Sequence, residues 1–208
     1  IMVVLIEAQY LPCIAYFATL SAFQNIIVEK FEQYEKQTFR NRALLNSVNG
    51  LVTLTVPVTA KHGKPLITDV RIDYGQKWLN NHWRTIQSAY GKAPFFEYYA
   101  DDLNSVMFKK TAFLYDLNLE LLTMCLSWLK SNVPVLESKR YEKHPENGII
   151  DLRSAISPKK PDHVVKFYKP AAYPQVFGNK FVENMSLIDL VFCEGPGARA
   201  IVQSSSPQ

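Results

Sequence analysis

The opening of the chain, residues 2–28, constrains the fold more than any other stretch. Residues 2–6 are aliphatic and rich in β-branched side chains, which reads as a short buried strand. Tyr10, Leu11 and Pro12 follow, and Pro12 suits the first turn of a helix, where its missing N–H costs nothing. Residues 13–23 are apolar nearly all round, as in a buried helix, and residues 26–28 form a second aliphatic strand. A strand, a buried helix and a second strand in succession place the first helix N-terminus beside a strand end. That is a common place to hold an anion through unpaired backbone N–H groups.

The middle of the chain reads as antiparallel. Asn49-Gly50 is a hairpin turn signal, because both residues tolerate positive φ. Val52, Leu54, Val56 and Val58 alternate with polar residues, and Leu66, Thr68, Val70 and Ile72 do so again. Residues 78–90 read as a helix with Trp78, His82, Ile86 and Ala89 on one face. Residues 95–99 are densely aromatic, and Asp101-Asp102 suits a helix cap. Residues 110–130 read as the longest helix, with Asn118 at the margin of its apolar face, where an amide needs a partner. Residues 133–136 and 164–168 read as short strands, and 187–192 as helical. The expected fold is a single α/β domain over residues 1–203. It has a mixed sheet, a buried N-terminal helix, a helical subdomain over 78–130 and a disordered polar tail over 204–208.

Charge excludes one class of partner. The net charge is only +4, and Lys and Arg form no stripe interleaved with aromatics, so no nucleic-acid partner is expected. Cys13, Cys125 and Cys193 lie in apolar runs without short spacing, which argues for free buried thiols and a reducing, cytoplasmic setting. Glu7 interrupts the first apolar run and no basic segment precedes it, so it is not read as a secretory signal. No stretch is long and apolar enough to span a bilayer. There is no CxxC, HxH or HExxH spacing, so no metal ligand is expected, and glycine-rich phosphate loops and nucleophile elbows are also missing. The sequence leaves cofactor and oligomeric state open.

The candidate site centres on residues 29–42, EKFEQYEKQTFRNR, where charge, amide and aromatic groups crowd together. Arg40, Asn41 and Arg42 form a compact donor set for a carboxylate or phosphate. An internal salt bridge to Glu29, Glu32 or Glu35 is the equal alternative. His82 is the acid–base candidate because imidazole titrates near neutrality; a core position on its amphipathic helix is the competing reading. His62, His144 and His163 lie in polar loops, where solvation is expected. Tyr10, Asn41, Arg42 and His82 are expected to line one pocket. The full ligand-binding set is Tyr10, Gln33, Lys36, Asn41, Arg42, Tyr90 and Asn118, with His82 catalytic.

Taken together, several segments carry a resemblance. They are Tyr10-Leu11-Pro12 with Tyr16-Phe17, EKQTFRNR at 35–42, the NG turn with LTVPV, and TDVRIDY at 68–74. W-x3-HW-x2-I-x2-AY at 78–90, PFFEYYADDL at 94–103, DLNLEL at 116–121, and YPQVF with NMSLIDLVF complete the set. The chain resembles the WbqC-like protein family, in the form found in Bacteroides and its relatives. It departs where Glu7-Ala8 replaces a Gln-Pro dipeptide and where Cys13-Ile14-Ala15 replaces a Trp-containing stretch. The resemblance implies a role in O-antigen or other surface-polysaccharide biosynthesis, as a transferase of a glycine, amino-acid or acyl group acting on an activated sugar. The alternative is a non-catalytic sugar- or nucleotide-binding protein of the same pathway. A nucleotidylyltransferase reading of the opening strand and helix lacks the HxGH signature.

Overall fold

The structure, a computed structural model, describes residues 2–59, 63–178 and 180–206. The opening forms as the pattern predicts: β1 (Val3–Glu7), α1 (Ile14–Leu20) and β2 (Asn25–Glu29). A hairpin of β3 (Arg42–Ser47) and β4 (Gly50–Thr55) follows, then short β5 (Val58–Thr59) and β6 (Arg71–Ile72). Three helices come next: α2 (Trp78–Tyr90), α3 (Phe96–Phe108) and α4 (Leu114–Trp128). The chain then returns to the sheet as β7 (Val135–Glu137) and β8 (Ile149–Asp151). It ends in α5 (Pro161–Val164), α6 (Leu187–Glu194) and α7 (Ala198–Ser204).

The architecture is α/β, with strands separated by pairing type. The main sheet has four strands in the order β7-β2-β1-β8, all parallel. The antiparallel strands stand apart as the β3–β4 and β5–β6 pairs, so the expected mixed sheet resolves into three. The sequence carries the reason. VVLI and IIV are continuous aliphatic runs, as strands in a covered parallel sheet require, whereas β4 buries only Leu54 and exposes most of its length. Pro134 precedes β7 at the sheet edge, where a missing N–H is tolerated.

Register fixes which side chains share a face. Val4, Ile6, Ile26 and Val28 are fully buried on one face of the sheet. Leu5, Ile27 and Ile149 point to the other, which residues 138–146 cover while leaving a cleft of about 340 Å³. A single hydrophobic core runs from Val4 through Val202.

Several local expectations change. The N-terminus of α1 holds no anion, because another part of the chain occupies it. Ile14 N–H donates to Met185 O at 2.9 Å, and Ala15 N–H to Asn184 Oδ1 at 2.9 Å. Leu187 N–H at the start of α6 donates in return to Pro12 O at 2.9 Å, so the two helix starts cap each other. Asp101 and Asp102 lie inside α3 rather than before a helix, because the aromatic stretch supplies the buried face of a continuous helix through Phe96, Ala100 and Leu103. Residues 164–168 form no strand: Pro161 opens the one-turn helix α5, and turns follow it. The polar ending is helical through Ser204, and Ser205 is buried with its carbonyl accepting from Lys169 N–H; residues 207–208 lie outside the described residues. His62 also lies outside them.

Asn118 ties the long helix to the rest of the fold. It is fully buried on α4, and its Nδ2 donates to Arg40 O at 2.7 Å and more weakly to Ala8 O at 3.5 Å. Replacing it strands the Arg40 carbonyl without a donor. Asn118→Leu should therefore lower unfolding free energy by about 1–3 kcal/mol in a urea titration. An unchanged midpoint would show that this amide contributes nothing to the packing of α4.

Candidate functional site at the ends of the parallel strands

Each strand of the parallel sheet ends in an acidic residue: Glu7 on β1, Glu29 on β2, Glu137 on β7 and Asp151 on β8. Pairing sets Glu7 opposite Glu29, and Asp151 opposite Leu5. Side chains alternate along a strand, so Glu7, Glu29 and Asp151 share one face. The chain steps outward from β1 to β2 to β7, then crosses back to add β8 on the other side of β1. Strand order therefore reverses between β1 and β8, and crevices at such reversals are where open α/β sheets bind ligands.

Two arginines organise these acids. Arg153 Nε and Nη2 donate to Asp151 Oδ1 and Oδ2 at 2.9 and 2.6 Å, Nη1 donates to Glu29 Oε2 at 3.0 Å, and Nη2 also donates to Glu142 O at 2.8 Å. Glu29 Oε1 accepts from Ser138 Oγ at 2.7 Å and Phe31 N–H at 2.8 Å. Arg40 grips Glu32 through Nε at 2.7 Å and Nη2 at 2.6 Å, and reaches Ser154 Oγ at 3.0 Å. Glu7 accepts from Ser154 N–H at 2.7 Å and Gln9 Nε2 at 2.8 Å. Glu7, Glu29, Glu32 and Arg40 are all buried.

Burial alone would weaken the Arg40 charge, but the Glu32 hydrogen bonds and the pull of Glu7 and Glu32 outweigh it and hold the guanidinium protonated. Burial pushes the Glu32 carboxyl up, and Arg40 pulls it back. Desolvation of Asp151 opposes its ionisation, yet the Arg153 hydrogen bonds dominate and keep its carboxyl below the usual range.

A cleft of about 590 Å³ opens beside this network, lined by Glu32, Arg40, Asp151, Arg153 and Ser154 with Gln33, Tyr141 and Lys143. Among the described residues, no group of His, Cys, Asp or Glu is arranged to hold a metal ion. The cleft instead offers a partly exposed carboxylate, hydroxyl and amide groups, and a lysine at its rim.

The structure divides the residues expected from sequence. Gln33 lines this cleft. Lys36 is exposed but outside the lining. Tyr10 and His82 do meet, with Tyr10 Oη and His82 Nδ1 3.0 Å apart, but both are buried and neither lines the cleft. His82 packs against Trp78, with the ring centroids 5.0 Å apart. Asn41 donates to Val56 O at 3.0 Å, and Arg42 pairs across the hairpin with Thr55. Tyr90 Oη donates to buried Asp189 at 2.8 Å, which makes it a packing contact, as Asn118 is. Of the expected donor set, Arg40 takes the salt bridge to Glu32. All three cysteines are free and buried. The residues that sequence reasoning passed over are Glu7, Asp151, Arg153 and Ser154. For the two acids the signal was an aliphatic run closing on an acid, as VVLIE, NIIVE, VLE and IID, repeated in every parallel strand; Arg153 and Ser154 carried no such signal.

The WbqC-like protein family model matches residues 7–160, which contain the whole strand-end cluster, and the chain belongs to that family. It is also similar to "Uncharacterized protein Rv1507c" of Mycobacterium tuberculosis, with 31% identity over 144 residues, 67% of this chain and 61% of the relative. The chain thus spans less than two thirds of that relative's length. No solved structure gives a significant match. No helix among the described residues is long and apolar enough to cross a membrane.

His82 has a consequence for stability that pH reveals. Burial lowers its pKa to about 4, from an ordinary 6.5. The folded state thus holds the neutral ring, while the unfolded chain takes up the proton first as pH falls. Its contribution is complete above pH 6.5 and is lost as pH falls from there toward about 4. Between about pH 7.5 and pH 4.5 this amounts to roughly 2–3 kcal/mol. His82→Gln should be less stable near neutrality and should lose less on acidification, as read by urea unfolding at both pH values. An identical pH dependence in both proteins would show that His82 does not titrate in this way.

Proposed function

We propose that this protein is a group transferase of surface-polysaccharide assembly, working in a reducing cytoplasmic setting on an activated sugar or lipid-linked saccharide held in the strand-end cleft. The reading rests on one observation above the others. The cleft lies at the strand-order reversal of a parallel sheet and is walled by a preorganised set of charged and hydroxyl groups. The resemblance of the sequence, which implies surface-polysaccharide biosynthesis, supports the same substrate class.

Asp151 is the group that meets the acceptor. Its side chain is 34% exposed, so it can accept a hydrogen bond from an acceptor hydroxyl or amine and orient it for attack, while its pairing with Arg153 keeps it a weak base. Lys143 is placed to hold negative charge on a departing group. His82 takes no part in this scheme, because it is neutral and closed off within the core. A second reading, a non-catalytic binding protein, is favoured by the extent of mutual pairing: Glu32 with Arg40, and Glu29 and Asp151 with Arg153, leave few reactive groups unengaged.

A thermal-shift panel of sugar nucleotides, nucleotides and amino acids locates the ligand class, because binding raises the melting temperature as ligand concentration rises over Kd. A sugar nucleotide should stabilise the wild-type protein and leave Gln33→Trp unmoved, since that side chain would fill the cleft. Equal shifts in both proteins would place the ligand elsewhere. With a stabilising donor in hand, Asp151→Asn should weaken engagement of the acceptor and lower turnover by about tenfold or more, while the donor still raises the melting temperature. Binding without turnover by the wild type over a range of acceptors would favour the second reading.

A further inference from the structure

We infer that the strand-end cleft contains a subsite for an uncharged pyranose ring, built on Tyr141. This rests on the reading of the cleft as the ligand site and specifies which part of a saccharide it grips. Residues 138–148 connect β7 to β8 across the less covered face of the sheet. Within this crossing, Arg140 and Glu142 line the cleft beneath the loop, while Tyr141 and Lys143 line the strand-end cleft. Tyr141 is 54% exposed, a large aromatic surface to leave in a concavity.

The ring is also held in place. The Arg153 guanidinium carbon lies 4.8 Å from its centroid, and Arg153 is itself fixed by Asp151, Glu29 and the Glu142 carbonyl. A backed, rigid aromatic ring suits the C–H face of a pyranose, which gains dispersion contact without losing its hydroxyl hydrogen bonds. Planar and hydroxyl partners for those hydroxyls stand in the same lining: the Gln33 amide, the Asp151 carboxylate and Ser154 Oγ.

Charge argues for the uncharged end of the ligand here. Glu32 is closed by Arg40, Asp151 by Arg153 and Glu35 by Lys159. Arg153 also carries Glu29, and Glu7 adds to the negative field at Arg40. A phosphate pressed against Tyr141 would therefore meet arginines already engaged by carboxylates, with Lys143 at the rim for the charged end of the ligand. A neutral ring needs only the hydrogen-bonding groups of the lining.

Saturation-transfer NMR with methyl glucopyranoside, mannopyranoside and galactopyranoside tests the inference, with inorganic pyrophosphate as competitor. At least one pyranoside should receive saturation on its ring protons from the wild type and from Tyr141→Phe. Binding should weaken about fivefold in Tyr141→Ala, at an unchanged melting temperature, and pyrophosphate should not displace the sugar. The inference is overturned if no pyranoside receives saturation, if Tyr141→Ala binds as the wild type does, or if pyrophosphate competes. A sugar nucleotide that stabilises the wild type but not Gln33→Trp, with all pyranosides silent, would remove this subsite and leave the cleft as the ligand site. Pyranoside binding that survives Gln33→Trp would count against the cleft itself.

Discussion

Glu7, Glu29 and Glu32 are carboxylates removed from water at one edge of the sheet, and the shape of that edge follows from how their charge is met. An ionised carboxylate cannot be buried without hydrogen bonds and an opposing charge, and removing one partner of such a pair costs about 3–5 kcal/mol. The partners come from separate segments: Arg40 from the segment before β3, Ser138 from just after β7, Arg153 and Ser154 from the turn after β8. Each of these loops is held where its donors satisfy an acid. The cleft wall is therefore fixed before any ligand arrives, which reduces the ordering that binding would otherwise require.

Arg153 has the widest reach in this arrangement. One guanidinium joins β2, β8 and the crossing loop, and its carbon lies over the Tyr141 ring, 4.8 Å from the centroid. A lysine could carry the charge but not the fork or the stack. Arg40 has a similar relation to Glu32 and Ser154. Both arginines hold structure and border the cleft, so variants at either would mix loss of stability with loss of binding. Gln33 and Tyr141 separate the two effects better, because both are exposed.

Much of the local structure was legible in the sequence. The opening strand, helix and strand, the hairpin at Asn49-Gly50 and the bounds of α2 follow from periodicity and turn chemistry. Residues 149–151 were not legible, since so short an aliphatic run carries no period, and it becomes a strand only because β1 offers an open edge. Sequence reasoning did bring Tyr10 and His82 together, but as a core contact, because helical spacing cannot tell whether a buried face meets a cleft or a packed interior. The same limit hid the strand-end cluster. Its acids are scattered from Glu7 to Asp151, and only the parallel register sets them side by side. Arg40, one residue from the expected Asn41 and Arg42, is turned to Glu32 by local chain direction that spacing does not encode.

The reciprocal caps between α1 and α6 bear on how the chain is completed during translation. Helix α1 leaves the ribosome well before the groups that satisfy its first amides, Asn184 Oδ1 and Met185 O. The edge strand β8 is also late, and it brings Arg153 with it. A nascent chain that has emerged only through α4 therefore carries an unfinished helix start and unneutralised strand-end acids. Long-range closure of this kind slows folding and prolongs exposure of the intermediate. The opening strands and helix are made long before the groups that finish them, so a truncation between α4 and α6 damages structure that was made earlier.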